Sequence, residues 1–451
     1  MSVNGGSGIY VNGATLALED GSITENETAD IGDGHGVYLA SGSVFTMTGG
    51  TISKNNYTAN ITPSQGTALG GGVFIENGAA FTMQDGSIEQ NNGFSGGAVY
   101  TFGTFTMSGG TLDSNVLKRQ SSVTGTNAVE VGAGGLFTMT GGSIVSSFTS
   151  PSNTTAGAVN IYTPHGAYRP GTGEGRFVMT GGSISGITAQ HVIQLHGDGP
   201  SSTNKAVFEM SGGTISGCTS TTTGSVYVNN GTFTMTGGTI SGCTASRGGA
   251  VYLESGDFSM GGAASIPCEG VARKNDVYLA SGCYITVDDT LSAEAPVATI
   301  TPSSYSTSTK VLSGSAIGSE YSKFAVTPNG SDSYIINNTG YLALPQAPLG
   351  VSVTLPEYSQ IPVTMTKSDQ TVNFTIDAAD GSWFDFAWVF DGEAVSNYTE
   401  NSGAKLGSSA ASLTVYANTL VKGLYDVELT AKHTVNGVEE RVSYFAQVRV
   451  E

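Results

Sequence analysis

The chain has 451 residues, of which only 12% are Asp, Glu, Lys or Arg while 65 are glycine; ordinary domains carry about 25% charge and about 7% glycine. A hydrophobic share of 38% excludes a solvated, disordered chain, and the lack of a Gly-X-Y period excludes collagen. The net charge of −19, with no cluster of Lys or Arg, argues against nucleic acid as a partner.

The chain opens on MSVNGGSGIYVNG, which already reads as the middle of a repeat. Met1 is therefore expected to open a piece trimmed from a longer protein, and the lack of an export signal carries no information. No apolar run is long enough to span a membrane as a helix.

From Gly8 to about Leu291 one phrase recurs: G-G-x-V-Y-L, a short gap, F-T-M-x-G-G, then T-I-S-x-N. Met47, Met83, Met107, Met139, Met179, Met210, Met235 and Met260 share one column, continued by Leu18 before them and Val287 after them. Ten copies result, spaced by as little as 24 residues (Met83 to Met107) and longer where loops are inserted. Each copy holds three short apolar bursts alternating in and out, separated by glycine corners. Three strands per coil, stacked at the strand-pairing distance of about 4.8 Å, describe a parallel β-helix. The leucine framework of leucine-rich repeats is missing, and a propeller blade would need about 40 residues.

Three inward ladders are predicted. Phe45, Phe81, Phe105, Phe137, Phe177, Phe208, Phe233 and Phe258 form one, the methionines a second, and an Ile column from Ile23 to Ile266 a third. Asn26, Asn55, Asn91 and Asn115 occupy a further column that Cys218 and Cys243 take over, with Cys268 expected to follow as their neighbour. No C-x-x-C pair or His partner marks a zinc site, so these thiols are read as buried filling, an inter-coil disulfide being the alternative.

Between the inward Val and Leu of each first strand lies an outward column. It reads Tyr10, Tyr38, Phe74, Tyr100, then Glu130, Asn160, Gln194, then Tyr227, Tyr252, Tyr278. Aromatic residues thus give way to polar ones in three consecutive coils, coils four to six if the coil of Tyr38 is the first. In two of these coils the following loop lengthens, to YTPHGAYRPGTGEGR from Tyr162 and to HGDGPSSTNK from His196. His165, Tyr168, Arg169, His196 and Asp198 lie in these insertions; Glu209 replaces the usual Thr of the second strand in coil six.

This pattern suggests a carbohydrate site. Glu130, Asn160 and Gln194 would form its floor, His165, Tyr168, Arg169, His196 and Asp198 its walls, and Tyr100 and Tyr227 flanking surfaces for sugar rings. The plainer reading is that the aromatic stack stabilises the outer face and the insertions are tolerated loops. An enzyme would need paired carboxylates, for which Glu130, Asp198 and Glu209 are the candidates. A lyase would need a Lys or Arg base and an acidic calcium cluster, and no such cluster is seen. Neither cofactor nor metal is expected.

Residues 292–344 keep strand character without the F-T-M phrase and are expected to be irregular capping coils, giving a β-helix unit of 1–344. PQAPLG at 345–350 reads as a linker. Residues 351–451 contain about seven alternating strands, both tryptophans (Trp383 and Trp388) and turn signals at Asp391-Gly392 and Asn436-Gly437. An immunoglobulin-like sandwich without a disulfide is expected there.

Taken together, FTMTGGTIS, the glycine pairs and the terminal sandwich resemble the right-handed parallel β-helix repeat proteins of bacterial cell surfaces, adhesin-like or pectin-lyase-like. The resemblance covers residues 8 to about 291. It implies an all-β, right-handed parallel β-helix followed by an Ig-like module, on an exported, monomeric cell-surface protein that binds polysaccharide or host glycan. A polysaccharide lyase or glycoside hydrolase acting at the same coils is the alternative. No catalytic residue of the pectate lyases carries over position by position.

Overall fold

The computed structural model describes residues 7–28, 32–57, 68–119, 122–126, 128–146, 157–163, 172–199, 204–268, 273–330 and 333–344. In the C-terminal part it describes 363–365, 372–375, 383–395, 404–406, 412–435 and 438–451. The chain divides into two compact units, Met1–Leu344 and Pro345–Glu451. It is all-β, with 51% strand against 3% helix.

In the first unit the V-x-L strands form a 12-stranded sheet running from Ile9–Val11 to Phe324–Val326, each strand parallel to its equivalent in the next coil. The F-x-M and T-I-S strands join in a 17-stranded sheet. Like falls on like: Phe81 pairs with Phe105, Met83 with Met107, Ile88 with Leu112. Long parallel sheets in this register fit the parallel β-helix expected from the repeat.

The predicted inward ladders fill the interior. The eight phenylalanines of the predicted ladder are fully buried, and their rings stack coil on coil, as at Phe137–Phe177, 4.7 Å apart and inclined by 6°. The methionine and isoleucine columns are buried beside them. Period-two alternation thus becomes an apolar shaft, whose burial from water is the main stabilising term.

The x-G-G corner has a packing reason. A Cβ on Gly109 would lie 2.0 Å from the Gln84 carbonyl oxygen of the preceding coil. Gly110 adopts φ +78°, and its Cβ would lie 2.5 Å from Cε of Met83. The same methyl-over-glycine contact recurs at Gly86, Gly142, Gly182, Gly213 and Gly238, each under the methionine of the previous coil. Methionine in one coil and glycine in the next are therefore one unit of packing, which is why the phrase repeats whole.

The asparagine column is a hydrogen-bonded ladder. Asn91 Nδ2 donates to the Ile52 carbonyl (2.9 Å) and to Asn115 Oδ1 (3.0 Å). Its own Oδ1 accepts from the backbone N–H (3.0 Å) and Nδ2 (2.8 Å) of Asn55. Cys218 and Cys243 keep part of this pattern, their thiols lying 3.9 and 4.0 Å from the carbonyls of Ile184 and Ile215 in the preceding coils. The next place is not taken by Cys268. Asn275 holds it, accepting from the Cys243 N–H (3.1 Å) and donating to the Ile240 carbonyl (2.7 Å). No disulfide joins these cysteines among the described residues.

Beyond Leu291 the first sheet continues through Ala298–Pro302 to Phe324–Val326. A single helical turn, Ile317–Glu320, leads into that last strand. Glu320 is buried; burial alone would raise its carboxyl, but the Leu291 N–H (2.9 Å) and the Lys323 ammonium (2.9 Å) hold it below the usual range. An antiparallel pair, Ile335–Ile336 with Leu342–Ala343, ends the unit and buries Ile336 and Leu342.

The C-terminal unit has a five-stranded and a three-stranded sheet, antiparallel except where Val363–Met365 joins Val438–Val450. Trp388, Phe390, Val427, Leu429, Val448 and Val450 are buried in the larger sheet; Phe374, Ala404, Leu413 and Val415 are buried in the smaller. Two sheets each burying one face are partial support for an Ig-like sandwich. Asp391 and Gly392, both at positive φ, make the two-residue hairpin turn expected of Asp-Gly. The strand Ala404–Leu406 was not anticipated, while the linker 345–350 and the stretch VSVTL at 351–355 lie outside the described residues.

Candidate functional site

Parallel register places Tyr100, Glu130, Asn160, Gln194 and Tyr227 side by side on five consecutive strands of the first sheet. The outward column is therefore a physical row. On one side Tyr10, Tyr38, Phe74 and Tyr100 follow ring upon ring at 5.1–5.9 Å. On the other, Tyr227, Tyr252 and Tyr278 do the same at 4.8–5.8 Å. His191 lies face to face with Tyr227, 4.2 Å away and inclined by 10°, and so extends the second row by one ring. Burial pushes the His191 imidazole below its ordinary pKa despite its bond to the Thr223 carbonyl. Burial pushes the Tyr227 hydroxyl up to about 12, assisted by Glu254.

The outward aromatics are less open than the sequence implies. Tyr38 is 1% exposed and Tyr100 9%, because Ala40, Leu69, Phe74 and Phe102 pack with them into a second small apolar cluster outside the sheet. Tyr100 offers little ring face to a ligand, whereas Tyr227 is half-buried.

In the polar interruption, Asn160 Nδ2 lies 3.3 Å from Glu130 Oε2. The Glu130 side chain is buried, 7% exposed, while Asn160 and Gln194 are half-buried. Asn160 Oδ1 is shielded from solvent and has no hydrogen-bond partner. An unsatisfied buried carbonyl of this kind costs roughly 1–3 kcal/mol unless something donates to it.

The next outward position along each coil adds two aromatic residues outside the predicted site, Phe102 and Tyr162, beside His196, which was expected there. Tyr162, 38% exposed, stacks on His196 at 5.2 Å. Extending the register by one residue sets Gly132 of the preceding coil beside Tyr162 and Phe102 beside Gly132. Gly132 contributes no side chain, and the Phe102 ring lies over it, 2.4 Å from where a Cβ would be. The signal was available in the sequence as the alternation Phe102, Gly132, Tyr162, two residues after the polar column.

The two insertions are tied at their bases. Thr163 donates to the Asn204 carbonyl (2.8 Å), and Asn204 Oδ1 accepts from the Gly173 N–H (2.9 Å). Asn204 Nδ2 lies 3.4 Å from Asp198. Burial lowers the pKa of His196, and the Asp198 charge opposes that shift. His165, Tyr168 and Arg169 lie outside the described residues.

Glu209 projects from the other sheet, in register with Val178 and Thr234, and one Nη of Arg176 lies 2.8 Å from both its oxygens. Glu130 and Glu209 thus belong to different sheets of the coil stack. Among the described residues, no three His, Cys, Asp or Glu side chains come together as a metal site would require. No protein-family model, no curated protein and no solved structure matches this chain.

Proposed function

We propose that this chain is an exported surface protein that binds glycan on the outer face of the coils carrying Glu130, Asn160 and Gln194. The observation that carries this reading is the coincidence, in adjacent outward rows, of an interrupted aromatic stack with the stacking of exposed Tyr162 on half-buried His196. Polar heads in one row suit sugar hydroxyls, and aromatic faces in the next suit the apolar faces of the rings. The right hand of the coils, the Ig-like identity of the C-terminal unit and the cell-surface location belong to the same proposal. They rest on the repeat phrase and on the usual hand of parallel crossovers.

A broad glycan array tests it. The unmodified chain is expected to bind a defined subset of glycans, and Asn160→Tyr combined with Gln194→Tyr, which restores the aromatic row, is expected to abolish that binding while leaving the fold intact. Binding that survives the double substitution removes the site. Release of reducing ends or unsaturated products from a polysaccharide panel would replace binding by catalysis.

A further inference from the structure

We propose that Cys218 and Cys243 form a two-coordinate site for a soft monovalent cation of the Cu(I) and Ag(I) class, held between two thiolates inside the coil stack and independent of the glycan row. Here the asparagine ladder gives way to sulfur. Register sets Ile187, Cys218 and Cys243 at equivalent places on three consecutive coils, and Asn275 follows on the fourth. The two sulfurs repeat one another. Each lies over a carbonyl of its own coil, Ser216 at 3.4 Å and Ser241 at 3.5 Å, and over one of the coil before, Ile184 at 3.9 Å and Ile215 at 4.0 Å. Side chains placed alike in adjacent coils are separated by the coil pitch, about 4.8 Å. A metal–thiolate bond is about 2.3 Å, so an ion held in line between two sulfurs spans about 4.6 Å. The stack thus presents two thiols at nearly the span that linear coordination requires, whereas a disulfide would need the Cβ atoms drawn in to about 3.5–4.5 Å.

The surroundings select the ion. Both cysteines are fully buried, as are their neighbours Ile187 and Ser225. Hard cations take oxygen ligands and zinc takes four donors, whereas a pair of thiolates in a dry site suits Cu(I). The three side chains that a more highly coordinated ion needs are not assembled among the described residues, and a linear ion needs only two. Binding displaces both thiol protons: two thiols and one monovalent cation give a dithiolate complex of charge −1 and two released protons. Hydrogen-bond donors surround that charge. The backbone N–H groups of Gly186 and Ile187 donate to the Cys218 sulfur, and the Cys218 N–H and the Ser225 hydroxyl donate to Cys243, each favouring the anionic form. The thiols titrate as a pair. A hydrogen bond from Cys218 to Cys243 lowers the pKa of Cys243 and, together with burial, raises that of Cys218, so the first proton leaves far more readily than the second.

The experiment uses the full chain carrying Cys268→Ser and Cys283→Ser, which removes the two other thiols. Ag(I) is the binding probe and Cu(I) the spectroscopic one. Ag(I) is added to the reduced, folded chain and, in parallel, during refolding from urea, so that a closed shaft does not hide the site. Native mass spectrometry is expected to show one Ag(I) per chain that survives excess monodentate thiol, and X-ray absorption of the Cu(I) form to show two sulfur neighbours. Cys218→Asn combined with Cys243→Asn, which restores the ladder residue, is expected to fold and to hold Ag(I) about tenfold or more weakly, as is Cys243→Ser alone. The melting temperature of the parent should rise with Ag(I) concentration and that of the variants should not. No ion bound by either loading route, an ion held equally by the asparagine variant, or fewer than two sulfur neighbours overturns the site. Loss of both thiols to a disulfide in the folded chain overturns it as well. Thermal melts without metal verify folding, and Cys243→Ser decides the question if the double asparagine variant does not fold.

Discussion

Replacing Asn91 probes the asparagine ladder where it is fully buried and fully bonded. An amide offers two donors and two acceptor sites, and Asn91 uses all four, on Ile52, Asn115 and Asn55. Asn91→Ala leaves the Asn55 N–H and the Ile52 carbonyl without their partners in a site closed to water. At roughly 1–3 kcal/mol for each orphaned group, the loss is about 2–6 kcal/mol. Asn91→Asp should cost more at neutral pH, since an anionic oxygen would replace Nδ2 and face two acceptors at 2.9 and 3.0 Å. Asn91→Cys should cost least, because the chain itself places thiols over the equivalent carbonyls at Cys218 and Cys243. Stacked repeats need not unfold in one step, so the global transition should be paired with a local readout. Amide exchange of the Asn55 N–H supplies it, with a hundredfold or greater loss of protection expected in Asn91→Ala from about 3 kcal/mol. An alanine variant within about 1 kcal/mol of the parent, with Asn55 still protected, would refute the view that the ladder is a connected network.

Two further perturbations separate backbone from side-chain causes. Gly109→Ala should destabilise more than Gly110→Ala, although Gly110 is the residue at positive φ, because Gly109 meets a fixed carbonyl oxygen and Gly110 meets the movable Met83 methyl as well as backbone. Adding Met83→Val should recover about 0.5–2 kcal/mol of the Gly110→Ala loss and none of the Gly109→Ala loss, and equal recovery in the two urea-unfolding cycles would disprove the assignment. His35 is 1% exposed, and burial lowers its pKa from 6.5 to about 4. The unfolded chain therefore takes up a proton that the folded chain refuses, so the stability from neutral His35 is whole above pH 6.5 and lost progressively down to pH 4. The loss is about 2 kcal/mol by pH 5. Stability curves of parent and His35→Gln should diverge over that window, and parallel curves would exclude His35 as the cause.

Period-two alternation and strict register made the inward ladders legible, because one face of every strand must be apolar and a slip of one residue would reverse it. The same alternation marked Tyr38, Phe74 and Tyr100 as outward, which they are, and left unseen that Leu69 and Phe102 fold over that face. Outward means only away from the shaft; what lies on top is decided by loops whose path has no period. The Cys268 expectation failed for a related reason. Counting 25 residues on from Cys243 assumes an even coil, but the chain passes Pro267 and returns to the column only at Asn275. In the site, the polar row was readable from the aligned repeat, and so was the Phe102, Gly132, Tyr162 alternation two residues further on, whereas the placing of the Phe102 ring over Gly132 and of Tyr162 on His196 came only from the structure.

The inter-coil hydrogen bonds that hold this register point along the stack. Tension applied between the ends of the first unit would pull directly on them, one coil boundary at a time, instead of shearing whole sheets at once. Each coil that let go would release about 24 residues, or about 80 Å of slack at full extension. A coil stack built this way yields under load in small, repeatable steps, with the outward polar row able to stay intact while coils nearer the loaded end give first.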